Sequence, residues 1–233
     1  MYKLRKAADR GITKTHWLDS KHTFSFAGYY DIQNMGFGPL RVINDDIVAP
    51  GEGFGLHPHD NMEIISIVLS GELQHRDSMG HKEVLHSGEI QKMSAGTGVF
   101  HSEYNNSDTE PVHFLQIWII PSKFNIPPSY SQRFFTQNLN EFVLIASPDG
   151  EENSFKLEQD ALVYRLNLEK EKSVNYTISK DRKIWIHTAI GEITVGDLKL
   201  FFGDGLGISG EQMELVIKGV SGKSDIILFD MGG

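Results

Sequence analysis

The amino-acid sequence predicts an all-β protein built as a duplicated barrel, and three observations carry that expectation. Helical periodicity is scarce, while short apolar runs bounded by glycine, asparagine, aspartate or proline recur along the chain. Two series of such runs flank segment 121–132, which has few apolar positions and contains Pro127-Pro128. The two series also share the spacing of glycine, acidic and serine residues. A chain of 233 residues divides naturally into two domains, 1–135 and 136–233.

In chain order, residues 63–69 (EIISIVL) form a β-branched run closed by Ser70-Gly71, because glycine accepts the backbone of a tight turn. Residues 72–76 run into a turn at 77–80, and 82–85 and 89–93 follow. The long run 112–120 stops at Pro121, which has no N–H to give a ladder. Segment 121–132 is expected to be the linker. Beyond it, strands are expected at 141–145, 162–168, 174–178, 183–188, 192–195, 198–202, 214–217 and 225–229.

The halves look like copies of one unit. Gly71-Glu72-Leu73 precedes Gly88-Glu89 and then Met93-Ser94-Ala95-Gly96, while Gly191-Glu192-Ile193 precedes Gly203-Asp204 and then Ile208-Ser209-Gly210. The interval from 88 to 94 equals that from 203 to 209.

A net charge of −9, from 31 acidic and 22 basic residues, disfavours direct nucleic-acid binding, which needs a basic face. The absence of cysteine excludes disulfides, thiolate-ligated zinc and a thiol nucleophile, leaving histidine and carboxylate as the strong metal ligands. The first residues lack the apolar core of a signal peptide, and no stretch approaches 18 uninterrupted apolar residues. A cytoplasmic protein without membrane partners is the expectation.

The chemistry concentrates in His57-Pro-His59-Asp-Asn-Met-Glu63 and His101-Ser-Glu103. In extended backbone alternate residues share a face, so His57 and His59 form one pair and His101 and Glu103 another. Two such pairs on adjacent strands can converge on one divalent transition-metal ion. Three imidazoles and a carboxylate suit iron, nickel, copper, manganese, cobalt or zinc, and leave room for water or substrate in a six-coordinate shell. His75, His81 and His86 lie in polar, turn-rich sequence and are expected to be solvated; His16, His22, His113 and His187 have no paired partner.

These residues resemble the cupin superfamily. Its first motif is matched by Gly51, His57, His59, Glu63 and Gly71, and its second by Gly88, Gly96, His101 and Asn105. Ser94 stands where proline is usual, and four residues rather than two separate Gly96 from His101. Those departures, together with Glu103, resemble the pirin family. The likeness extends to Trp17-Leu-Asp-Ser-Lys-His-Thr-Phe-Ser-Phe26 and Leu40-Arg-Val-Ile-Asn-Asp46 and is strongest over 1–135. Within the family it is similar to the bacterial pirin-like quercetin 2,3-dioxygenase group.

The resemblance implies a bicupin, two jelly-roll β-barrel domains packed together, with the metal in the N-terminal domain. It implies His57, His59, His101 and Glu103 as ligands and iron(II) as the usual ion. The general cupin pattern would make Glu63 a ligand, whereas the pirin pattern gives that role to Glu103. Glu63 is then expected nearby, as a reserve to Glu103 for the catalytic base. The implied activity is dioxygen-dependent cleavage of a flavonol such as quercetin by a monomer. The alternative is a non-catalytic, metal- or redox-responsive interaction protein of transcription machinery. Aligning the copies puts Thr177, Ser179, Lys183, Val216 and Lys218 at the positions of His57, His59, Glu63, His101 and Glu103, so the C-terminal domain is expected to be a cupin without metal ligands.

Overall fold

The computed structural model describes residues 1–136, 138–210 and 212–233. Among these the regular structure is strand, apart from three-residue 3-10 pieces at Ala7–Asp9, Ile32–Asn34 and Glu151–Asn153. The all-β expectation holds. The chain divides into two compact units, Gly11–Phe135 and Met1–Arg10 with Thr136–Gly233. The sequence pattern alone groups residues 1–10 with the first domain. In the structure Tyr2–Arg5 instead pairs antiparallel with Gly205–Ser209, extending a sheet of the second unit. A strand of four residues at a chain end carries no pattern that names its partner.

In the unit Gly11–Phe135 a seven-stranded sheet runs from edge to edge through Ser129–Phe134, Glu89–Ser94, Glu63–Ser70, Val112–Ile119, Leu40–Val48, Leu18–His22 and Gly11–Lys14. A four-stranded sheet runs through Gly53–His59, Val99–Asn105, Glu72–Asp77 and Lys82–His86. Glu63–Ser70 is paired on both edges and buried over its first six residues, which is why it appears in sequence as a continuous apolar run. Segment 121–132 is not linker throughout. Ser129–Phe134 is the outer strand of the large sheet, and its polar composition hides it because such an edge is wetted. Leu73 and Leu85 of the small sheet pack with Val48, Val68, Val112 and Phe114 of the large one. Ile64, Met93 and Val99 form a second cluster, against which Trp118 rests.

The second unit repeats this plan. Its seven-stranded sheet runs Tyr2–Arg5, Gly205–Ser209, Arg182–Ile190, Lys223–Gly232, Ala161–Glu169, Phe142–Ser147 and Phe155–Lys156. Its four-stranded sheet runs Ser173–Ile178, Met213–Gly219, Glu192–Val195 and Leu198–Phe201. Gly71 and Gly191 make equivalent turns at φ of 80° and 85°, a backbone that side chains disfavour.

The register corrects the sequence alignment of the copies by one residue. Asn105 lies opposite Leu73 and Gly219 opposite Ile193, so His101 and Glu103 correspond to Leu215 and Ile217 rather than to Val216 and Lys218. Across the next strand pair, Tyr176 and Ile178 replace Thr177 and Ser179 as the counterparts of His57 and His59. In sequence Met213 follows Ser209 by one residue fewer than Val99 follows Ser94, and a one-residue slip reverses which side chains face inward. Leu215, Ile217 and Ile178 are buried in this unit's core, with Tyr176 packed against it.

Candidate metal centre

Gly53–His59 and Val99–Asn105 pair antiparallel, with His57 opposite His101 and His59 opposite Val99. A register shift falls between His101 and Glu103. The strands approach closely at Gly53, where an added Cβ would stand 2.3 Å from the Glu103 carbonyl oxygen and 2.5 Å from the Tyr104 Cα. Alternation turns the histidines to one face. Their ring centroids lie 4.8 Å (His57 to His59), 4.5 Å (His57 to His101) and 4.7 Å (His59 to His101) apart. One nitrogen from each falls within 4.8 Å of the others.

Their protonation suits a cation. His57 Nδ1 lies 2.7 Å from the Gly55 carbonyl oxygen, to which only a ring N–H can donate, so the tautomer that carries a lone pair carries it on Nε2. That Nε2 stands 3.0 Å from Nε2 of His101. Two nitrogens each about 2.1 Å from one ion, at right angles, would be about 3.0 Å apart, so the spacing fits a shared metal. Burial, reinforced by the neighbouring His101 and His57, lowers His59 to about 4. Burial, with His57 and His75, lowers His101 to about 3. At neutral pH these rings are uncharged and their lone pairs are available.

Glu103 is buried at 2% exposure and lines the same cavity as His57 and His59. Its donor oxygen groups with nitrogens of His75 and His101, again within 4.8 Å, so His101 is common to both donor groups. Gln91 Nε2 donates to Glu103 Oε1 at 2.7 Å and Gln116 Nε2 to Oε2 at 2.6 Å, while Ser66 Oγ lies 3.2 Å from Oε1. These donors fix the carboxylate plane. Glu63 has a different neighbourhood. Its Oε2 is 2.7 Å from Lys92 Nζ and accepts from Ser94 Oγ at 3.1 Å, and it does not line the cavity. The contacts of Glu63 are thus those of a buried ion pair.

Two residues that sequence reasoning passed over belong here. His75, expected to be solvated, is fully buried; its ring stacks on Tyr130 with centroids 4.5 Å apart and lies 5.3 Å from that of His101. The signal was present as Leu73-x-His75-x-Asp77, which continues an inward face set by Leu73. Asp46 is buried, lines the cavity, and has an Oδ1 without a hydrogen-bond partner among the described residues. Burial, with Asp45 and Glu103 adding to it against the Ser20 hydroxyl, pushes its carboxyl up to about 7. His22 also lines the cavity, bonded through Nε2 to Thr13 Oγ1 and through Nδ1 to Asn44 Oδ1, both at 2.8 Å. His86 is exposed as expected, and His16 is exposed as well. The cavity measures about 310 Å³, and its apolar wall includes Phe26, Phe54 and Trp118.

Residues 4–119 match the family described as Pirin, and residues 144–231 the one described as Quercetinase C-terminal cupin domain. The chain is 47% identical over 231 residues, 99% of each chain, to a protein of Escherichia coli strain K12 named quercetin 2,3-dioxygenase. It is 40% identical over 211 residues to a pirin-like protein of Caulobacter vibrioides, covering 89% of this chain and 90% of that one. Among solved structures, the bacterial pirin YhhW from Escherichia coli in complex with nickel(II) matches with a TM-score of 0.94 at 47% identity, covering 100% of this chain and 99% of that one.

Proposed function

Because the chain belongs to the pirin family, we propose that it is a metal-dependent dioxygenase that cleaves flavonols such as quercetin, with His57, His59, His101 and Glu103 holding the metal. The observation that carries the reading is the convergence of the His57, His59 and His101 imidazoles beside a largely apolar cavity of about 310 Å³, lined by His57, His59 and Glu103 and within the range of small-molecule sites. The donor set fits iron(II), our favoured ion, and equally nickel, zinc, manganese, cobalt or copper. When bound, the metal supplies Lewis-acid activation of a flavonol hydroxyl.

The protein's own part is to orient, dry and deprotonate. Trp118 meets His59 edge-on with centroids 4.9 Å apart and Phe26 edge-on at 5.3 Å, building a wall against which a flat aromatic substrate can lie without water. Gln91 and Gln116 hold Glu103 in a fixed plane, so its carboxylate can accept the hydroxyl proton as the substrate O–H bond breaks. A monomer in the cytoplasm belongs to the same proposal; no helix among the described residues is long and apolar enough to cross a membrane. The test is aerobic turnover of quercetin by the metal-loaded full chain, followed by loss of its visible absorbance and by oxygen uptake. Turnover with oxygen consumed is expected. No turnover at full metal occupancy would favour the non-catalytic interaction role, and conversion without oxygen uptake an isomerase or decarboxylase.

A further inference from the structure

His101 can present its Nε2 lone pair to a metal only if its ring proton sits on Nδ1. That Nδ1 is buried and has no hydrogen-bond partner among the described residues. Histidines that ligate metals ordinarily give this second N–H to an acceptor, which fixes both tautomer and ring orientation. The neighbouring ring is His75, and its Nδ1 is also buried without a partner. Two orphaned nitrogens on rings 5.3 Å apart, each costly to leave unpaired, mark a contact that the loaded site would complete.

The surroundings of His75 decide which of its nitrogens can accept. Its Nε2 lies 3.1 Å from Oδ2 of Asp77, and both side chains are fully buried. A carboxylate offers acceptors only, so the His75 proton is drawn to Nε2 and the lone pair is left on Nδ1. Asp77 is anchored in turn. Its Oδ1 accepts from the backbone N–H of Met79 at 2.9 Å and of His81 at 3.1 Å, and its Oδ2 lies 2.8 Å from His81 Nδ1. Stacking on Tyr130 holds the ring plane. All three residues sit on paired strands, with His101 opposite Asp77 and Glu103 opposite His75.

We infer that the Asp77–His75 pair is a positioning device for the metal ligand His101, with His75 Nδ1 accepting the His101 Nδ1–H. It rests on the reading of His101 as a ligand but not on the identity of the substrate. The counterpart of His75 in the second unit is Val195, a core residue beside the apolar Leu215 and Ile217, so in that unit the inward histidine is absent together with the ligands.

The test is the zinc affinity of the metal-free full chain, measured by competition with a chromophoric chelator. His75→Phe keeps the ring and the stacking but removes the acceptor, and is expected to weaken zinc binding about 10- to 100-fold. His75→Asn restores an acceptor near the Nδ1 position and is expected to recover most of that loss, which a merely space-filling role would not produce. Nitrogen-15 spectra of the zinc-loaded wild type need no variant to fold. They are expected to show His101 protonated at Nδ1 with a slowly exchanging proton, and His75 protonated at Nε2 alone. Unchanged zinc affinity in a folded His75→Phe, or a His75 protonated at Nδ1 in the loaded protein, overturns the inference. A wild-type chain that takes up no zinc overturns the ligand reading as well.

Discussion

Glu63, Glu103 and Asp46 are all buried carboxyl groups of one unit, and their partners separate what each can do. Glu63 is neutralised by Lys92, so Glu63→Gln strands a buried ammonium. We expect it to cost about 3 kcal/mol or more of stability while metal content stays at the wild-type level. Glu103→Gln should do the reverse, reducing metal retention and lowering turnover by about 100-fold or more, with a smaller effect on unfolding. Denaturant melts and elemental analysis on the pair decide it; loss of metal in Glu63→Gln would return that residue to the ligand set. A pH dependence follows from the lowered histidines. His59 near 4 and His101 near 3 both lie below the ordinary value of 6.5, so the unfolded chain binds protons that the folded, metal-free site refuses. Stability present above pH 6.5 is therefore lost as the pH falls toward 4. The pH slope of unfolding should flatten in His59→Asn, and parallel slopes would contradict the assignment.

At the scale of elements, the site depends on how closely Gly53–His59 approaches Val99–Asn105. An alanine methyl at position 53 would overlap the Glu103 carbonyl and the Tyr104 Cα, both backbone atoms that cannot swing aside. We predict that Gly53→Ala costs about 1–3 kcal/mol and lowers metal affinity, because the strand pair that sets the His57 to His101 spacing must open. Wild-type metal affinity in that variant would show that the site tolerates strand separation. The strand pattern was legible in elements that bury both faces or alternate cleanly, such as Glu63–Ser70 and Val112–Ile119. Gly11–Lys14 and Ser129–Phe134 were not, because edge strands keep polar side chains in water.

At the scale of the whole molecule, the duplication sets the metal stoichiometry. Where the first unit turns His57, His59, His101 and Glu103 inward, the second turns Tyr176, Ile178, Leu215 and Ile217 into an apolar core. Elemental analysis of the loaded full chain should give about one metal ion per chain, all of it lost in His57→Ala, since the second barrel offers no donor set at the equivalent place. A value near two, with the second ion removed by His187→Ala, would overturn this account.

The sequence by itself determined the all-β class, the duplication and the pairing of His57 with His59 and of His101 with Glu103, because period-two alternation and glycine turns are local properties that a strand writes into its own residues. Only the tertiary structure decided the rest. It brought His75 beside His101, paired Glu63 with Lys92, set Asp46 in the cavity wall, and moved the inward register of the second barrel by one residue. Each of these depends on which strand lies next to which and on the length of one turn, and pairing across a sheet is fixed by the packing of distant segments rather than by the residues of either strand alone.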